Sequence, residues 1–350
     1  MQGIELLVRY NIYILLLFTC GIWSQKLPDH QLDSILSEGI YSIIKQDYNE
    51  AQQKFSLLNN KYPENPLGNI YSAVVLITES VDLGEELNDT LINHYFDASE
   101  NQISNLNEIK HDNVWNNYYL ALLKGYKAYF NVLNKNYLPA LSNGFSSVEY
   151  FEKCITDDST FYESLVALGT FKYWKSEKTE FLNWLPFYTD EKETGIELLK
   201  KGLQLPSYNY YLGFNSLIWI WINQKNYAEA IKLCNEALKN YPDNRNFKWC
   251  LAEAYENTDK KKSLSVYKEL LASYLSIPSN NHFNEVILKQ IIAKLYLDLG
   301  ETELALKQCN EILSIKFEQN DVLERLDERL ESVKKLRMKL MKGKIPLNDK

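Results

Sequence analysis

The sequence is poor in the residues that punctuate β structure and in those that build reactive sites. Its 350 residues hold only 13 Gly and 9 Pro, too few for the turns of an all-β sandwich or barrel. Four histidines (His30, His94, His111 and His282) are scattered without an HxxxH or HExxH pair, so no linear metal signature exists. No G-x-G-x-x-G, Walker loop or G-x-S-x-G occurs, which removes the usual phosphate cradles and the nucleophile elbow. Basic blocks are missing too: 38 Lys+Arg stand against 46 Asp+Glu, a formal charge of −8. That balance argues against nucleic-acid binding, whose footprint is a basic stripe. The carboxylate pairs Glu85-Glu86 and Asp157-Asp158 suit helix ends and turns better than acid–base dyads. The sequence therefore predicts a protein that is not an enzyme and has no metal or cofactor.

Long apolar runs are equally scarce, and the one at the N-terminus is short. Ile12 to Phe18 follows Arg9 and the amino terminus, and it falls well under the ~20 apolar residues needed to span a bilayer. Residues 1–24 fit an export signal, with Ser24 as the small residue before cleavage. A rival pattern is Leu17-Phe18-Thr19-Cys20-Gly21, which resembles a bacterial lipoprotein box; there Cys20 would be lipidated and retained. Export to the periplasm or medium is thus expected, with outer-membrane attachment through Cys20 as the alternative. Four cysteines follow (Cys154, Cys234, Cys250, Cys309) at spacings of 80, 16 and 59 residues. They match no CxxC pattern, and each reads as a small buried hydrophobe. A Cys234–Cys250 disulfide stays open.

What the chain does have is apolar content of 45% and aromatic content of 13%, enough to exclude disorder, and an internal repeat. Asp47-Tyr48-Asn49-Glu50-Ala51 leads to Tyr62-Pro63-Glu64-Asn65. Asn226-Tyr227-Ala228-Glu229-Ala230 leads to Tyr241-Pro242-Asp243-Asn244. Ala to Pro is 12 residues in both. Apolar positions recur at i, i+3, i+4 and i+7, the mark of amphipathic helices. Alanine marks a close helix crossing, and proline ends the second helix because it cannot continue the hydrogen-bond ladder. These residues resemble the tetratricopeptide repeat, a 34-residue helix–turn–helix unit. Leu251-Ala252 with Tyr255, Ile292-Ala293 with Tyr296 and Ala305, Leu168-Gly169, and Tyr137 with Ala140 extend the likeness, and Ser263 to Tyr274 reads as a second helix after a Lys260-Lys261-Lys262 turn. It is strong over 31–65 and 211–315 and loose between, where Leu83 to Asn107 is helical in pattern but matches the repeat poorly. Asn143-Gly144 could split a helix or be tolerated within it.

The resemblance implies an all-α, right-handed superhelix of six or seven antiparallel hairpins. Asp321 to Lys342, with Leu323, Leu326, Leu330, Val333 and Leu340 on one stripe, would be the capping helix. The expected layout is a signal at 1–24, N-terminal hairpins over 25–110, and divergent middle hairpins with an aromatic insert over 111–205. C-terminal repeats follow over 206–316, then the cap and tail over 317–350. In this family first helices line a concave groove that takes extended peptides or partner helices. The corresponding positions are Tyr173, Trp174, Asn215, Trp219, Asn223, Trp249 and Glu253, joined by Trp184 of the insert Phe181–Tyr188. A protein or peptide partner is implied, with aromatics as its anchors. An aromatic pocket carrying a small apolar ligand is the competing use, and the oligomeric state is left open. The Lys and Asn pairs by which some members grip a peptide carboxylate are absent from the matching positions.

Overall fold

The computed structural model describes residues 26–109, 114–180, 189–204, 207–278, 281–318 and 320–342; the stretch expected to be an export signal, with Cys20, lies outside them. Fifteen helices and no strand occur among the described residues. They run α1 (His30–Lys45), α2 (Tyr48–Lys61), α3 (Leu67–Leu83), α4 (Asp89–Ile109), α5 (Val114–Leu133), α6 (Tyr137–Asp157), α7 (Tyr162–Lys178), α8 (Lys192–Gly202), α9 (Tyr210–Asn223), α10 (Tyr227–Asn240), α11 (Arg245–Glu256), α12 (Lys260–Leu275), α13 (Phe283–Asp298), α14 (Thr302–Ser314) and α15 (Asn320–Lys342). Consecutive helices pack on each other, giving seven hairpins and a closing helix, the tetratricopeptide-like architecture.

The repeated residues act as local switches. Gln46, Lys135 and Lys225 each adopt a left-handed backbone, and Gly300 does the same. Each sits one residue before the cap of a second helix, so four hairpins turn by one device. Asp47 then accepts from the Glu50 N–H at 3.0 Å, and Asn226 from that of Glu229 at 3.5 Å. Such caps satisfy amides that a helix start leaves orphaned. Ala51 and Ala230 are wholly buried, where a longer side chain would force the pair apart.

Some boundaries differ from the sequence expectation. Leu83 to Asn107 is helical from Asp89 onward, as α4, after left-handed Gly84 ends α3 and the Asn88 side chain accepts from Leu91. Lys260-Lys261-Lys262 is not a turn but the opening of α12, because Asp259 caps it. Leu323 points to water while Val322 takes the buried place on α15. Gly144 lies inside an unbroken α6 whose neighbour α5 presents Ala128 at that level. Gly169 and Gly195 face each other across α7 and α8. A Cβ on either would come within 2.6–2.7 Å of the other's carbonyl oxygen, so only glycine permits that crossing.

The apolar interior lies along the array in four parts. Its first part runs from Leu27 to Leu168. Leu203, Trp221 and Leu233 pack against both middle parts, and Val266 against the last two. All four described cysteines are buried free thiols, so no Cys234–Cys250 disulfide is present. Neighbour stacking is only half of the organisation, because the array also meets itself. The first hairpins touch the beginnings of α9, α11, α13 and α15 through contacts between residues 163 to 241 positions apart.

Candidate functional site

The first helices of three successive units, α7, α9 and α11, carry the residues singled out from the sequence. On α9, Asn215, Trp219 and Asn223 are spaced one turn apart and share one face. The Asn223 side chain is reached from α7: its Oδ1 accepts from the Tyr173 hydroxyl and its Nδ2 donates to Glu177 at 3.2 Å. At the other end, Asn246 of α11 donates to Asn215 Oδ1 at 2.8 Å, and the Cys250 thiol points to the same oxygen at 3.6 Å. Trp219 stands half-buried between these two amide links. The result is a strip of amides and an aromatic ring running across three units.

The other positions divide by burial. Tyr173 is fully buried; its ring belongs to the interior, and burial pushes its phenol up to about 12. Trp174 is half-buried, edge-on to Tyr173, with the Lys178 ammonium 5.9 Å from its centre. Trp249 is half-buried as well, but its indole N–H donates to the Tyr274 hydroxyl at 3.2 Å and its ring meets Tyr267 edge-on. Glu253, next along α11, is held above the usual carboxylate range, first by burial and then by Glu256. Trp184 and the rest of the insert's core lie outside the described residues.

Two buried carboxylates, neither singled out from the sequence, organise the contacts between distant units. Asp82, at the end of α3, accepts from Arg245 Nε at 2.9 Å, from the Tyr48 hydroxyl at 2.8 Å and from the Tyr274 hydroxyl at 3.2 Å. Arg245 Nη2 completes a two-pronged pairing with it, and the guanidinium lies 5.3 Å from the centre of the Tyr274 ring. Around this pair, Asn244 donates to the Ile44 carbonyl and Asn284 to the Asp82 carbonyl. Asn281 and Arg325 both donate to the Gly84 carbonyl. Trp249 is therefore tied, through Tyr274, to the seam between the ends of the chain.

Glu163, in the first turn of α7, is the second carboxylate and is fully buried. It accepts from the backbone amides of Tyr208 and Asn209, from the Asn209 side chain at 2.9 Å and from the Tyr118 hydroxyl at 3.4 Å. Burial outweighs these donors and pushes its carboxyl up to about 7. Tyr208, held there, turns its hydroxyl to Asp33 and to the Leu27 amide. Each carboxylate is met by donors from other units and so joins distant parts of the array. A cleft of about 380 Å³ lies elsewhere, beside α1, α2 and α5, lined in part by Tyr62, Asn65, Trp115, Asn116 and Tyr119. Among the described residues no group of His, Cys, Asp or Glu could hold a metal ion, and no helix is long and apolar enough to cross a membrane.

No protein-family model matches the chain, and no curated protein matches it in sequence. Solved structures do resemble it. A tetratricopeptide repeat protein from Parabacteroides merdae is 12% identical over 89% of this chain and 100% of that one, with a TM-score of 0.38. The C-terminal part of a TPR repeat-containing protein from Cytophaga hutchinsonii is 14% identical over 83% and 98%, with a TM-score of 0.39. The human IFIT1 dimer with PPP-AAAA is 12% identical over 84% of this chain and 65% of that one, with a TM-score of 0.45. Likenesses this distant say nothing of function, and the architecture here rests on the chain's own helix pairs and turns.

Proposed function

We propose that this chain is an exported, non-catalytic scaffold that binds an extended protein or peptide segment along the first-helix faces of α7, α9 and α11. The observation that supports this most is the strip of Asn215, Trp219 and Asn223, linked to both neighbouring units by side-chain amides. An amide offers two donors and two acceptor lone pairs, so an asparagine with one or two bonds made keeps capacity for a peptide backbone. A half-exposed indole between such amides suits an apolar anchor residue of the partner. Trp174, with Lys178 nearby, would extend the strip at one end, and Trp249 with Glu253 would bound it at the other.

A photo-crosslinking residue placed at exposed Asn223, in cells of the native host, tests the proposal. A discrete crosslinked protein is expected from the exported fraction, lost in a Trp219→Ala variant that retains its helical circular dichroism. Crosslinking that survives Trp219→Ala, or global unfolding of that variant, would remove Trp219 as an anchor. The N-terminal residue and intact mass of the exported protein decide between cleavage after Ser24 and lipid retained on Cys20. A small molecule bound instead of a protein would appear as added mass in native mass spectrometry.

A further inference from the structure

Six of the fifteen exposed large hydrophobic side chains among the described residues fall within positions 129–145: Tyr129, Val132, Tyr137, Leu138, Leu141 and Phe145. Four of them belong to α6, and their placement has a local cause. The helix is pulled tightly onto α5 by small residues: Ser147 donates to the Ala121 carbonyl at 2.7 Å, Gly144 lies against Ala128, and Ala140 is buried. At 100° per residue, Leu138 and Phe145 then project from the opposite side of the helix and Leu141 from its flank, Phe145 also meeting Phe171 of α7 edge-on. A surface helix of a monomer normally keeps that side polar. Here Leu138 is 81% exposed and Phe145 60%.

The surrounding charge says what could cover it. Between Ala128 and Val148 the only charged side chain is Lys135, in a protein of net charge −8. A two-fold interface brings each residue near its axis against its own copy, so any carboxylate there would meet a carboxylate. With Lys135 its single charge, this stretch is free of that penalty. A membrane-binding helix would instead be rimmed with several lysines and arginines. We propose that α6 of one chain packs antiparallel on α6 of a second copy, forming a symmetric dimer through Tyr137, Leu138, Leu141 and Phe145. The exposed aromatics and aliphatics offer about 500 Å² per copy, so the pair buries about 1,000 Å², the lower bound for a specific interface. Association is accordingly expected in the micromolar range.

Sedimentation velocity of the full-length protein across the micromolar range tests this. The wild type is expected to pass from monomer to dimer, and Leu141→Asp and Leu141→Lys are each expected to weaken self-association by about tenfold or more. Because Leu141 is exposed, both variants are expected to keep the wild-type circular dichroism; Tyr137→Asp serves if either fails to fold. Mixing the two Leu141 variants should restore a dimer containing one of each, which only a face that meets itself can do. The proposal is overturned if the wild type stays monomeric at the highest concentration. It is also overturned if the variants dimerise as tightly as the wild type, or if the face instead floats the protein on phosphatidylcholine vesicles.

Discussion

Asp82 and Glu163 are both buried carboxylates that join units far apart in the sequence, yet they solve the cost of burial differently. Asp82 is met by a guanidinium in two-pronged geometry, with two phenols completing its coordination. Glu163 is met by backbone and side-chain amides and a phenol, and it remains easier to protonate than an ordinary glutamate. The first arrangement compensates charge with charge and ties the two ends of the array together. The second uses dipoles at the start of α9, where helix N–H groups favour a negative partner, to seat a middle unit on the first hairpins. An ion pair fixes a seam strongly but punishes loss of either member. A dipolar cradle tolerates the neutral form and makes the seam responsive to pH.

The largest effect that would break this contrast is expected from Arg245→Met. It leaves Asp82 buried beside two phenols without its cation, a loss of about 3–5 kcal/mol, read as a shift in the urea midpoint. A change below about 1 kcal/mol would mean the pair is worth no more than an exposed one. Glu163→Gln comes next, and its signature is pH. The native carboxyl titrates at about 7 against an ordinary 4.5, so the folded state holds the proton more tightly than the unfolded chain. That contribution is fully present below about pH 4.5 and is lost as pH rises through about 7. Wild-type stability should therefore fall relative to Glu163→Gln between these limits, by up to about 1.4 kcal/mol per pH unit. Parallel curves for the two proteins would show that the carboxyl does not titrate in this window. The smallest effect is expected from Tyr118→Phe, which removes the long hydrogen bond to Glu163 and the one Asn209 donates to the Tyr118 hydroxyl at 3.2 Å, at a cost of about 0.5–1.5 kcal/mol each. It should raise the Glu163 titration point further, as followed by the pH dependence of unfolding.

Much of the fold was legible in the chain because its signals are local. Asp47-Tyr48 and Asn226-Tyr227 announce a cap and the start of a second helix, and Ala51 and Ala230 announce the crossing that follows. Asn143-Gly144 was ambiguous because a turn dipeptide and a close-packed helical glycine look alike until the partner helix, here bearing Ala128, is known. Lys260 to Lys262 looked like a turn because three like charges seldom open a helix, yet the Asp259 cap offsets them. The candidate strip was legible in part. Periodicity placed Asn215, Trp219 and Asn223 on one face, but it could not tell that Tyr173 turns inward or that Trp249 spends its N–H on Tyr274.

By itself the sequence determined the helices, their pairing and the turns between them, since each depends on residues within about one repeat of one another. The tertiary structure alone decided that Asp82 meets Arg245, that Glu163 seats Tyr208, and that the outer side of α6 is left bare. Those outcomes depend on how small rotations between successive units accumulate along the array. No single repeat encodes that sum, so contacts across 163 or 241 positions exist only once the whole curve has closed.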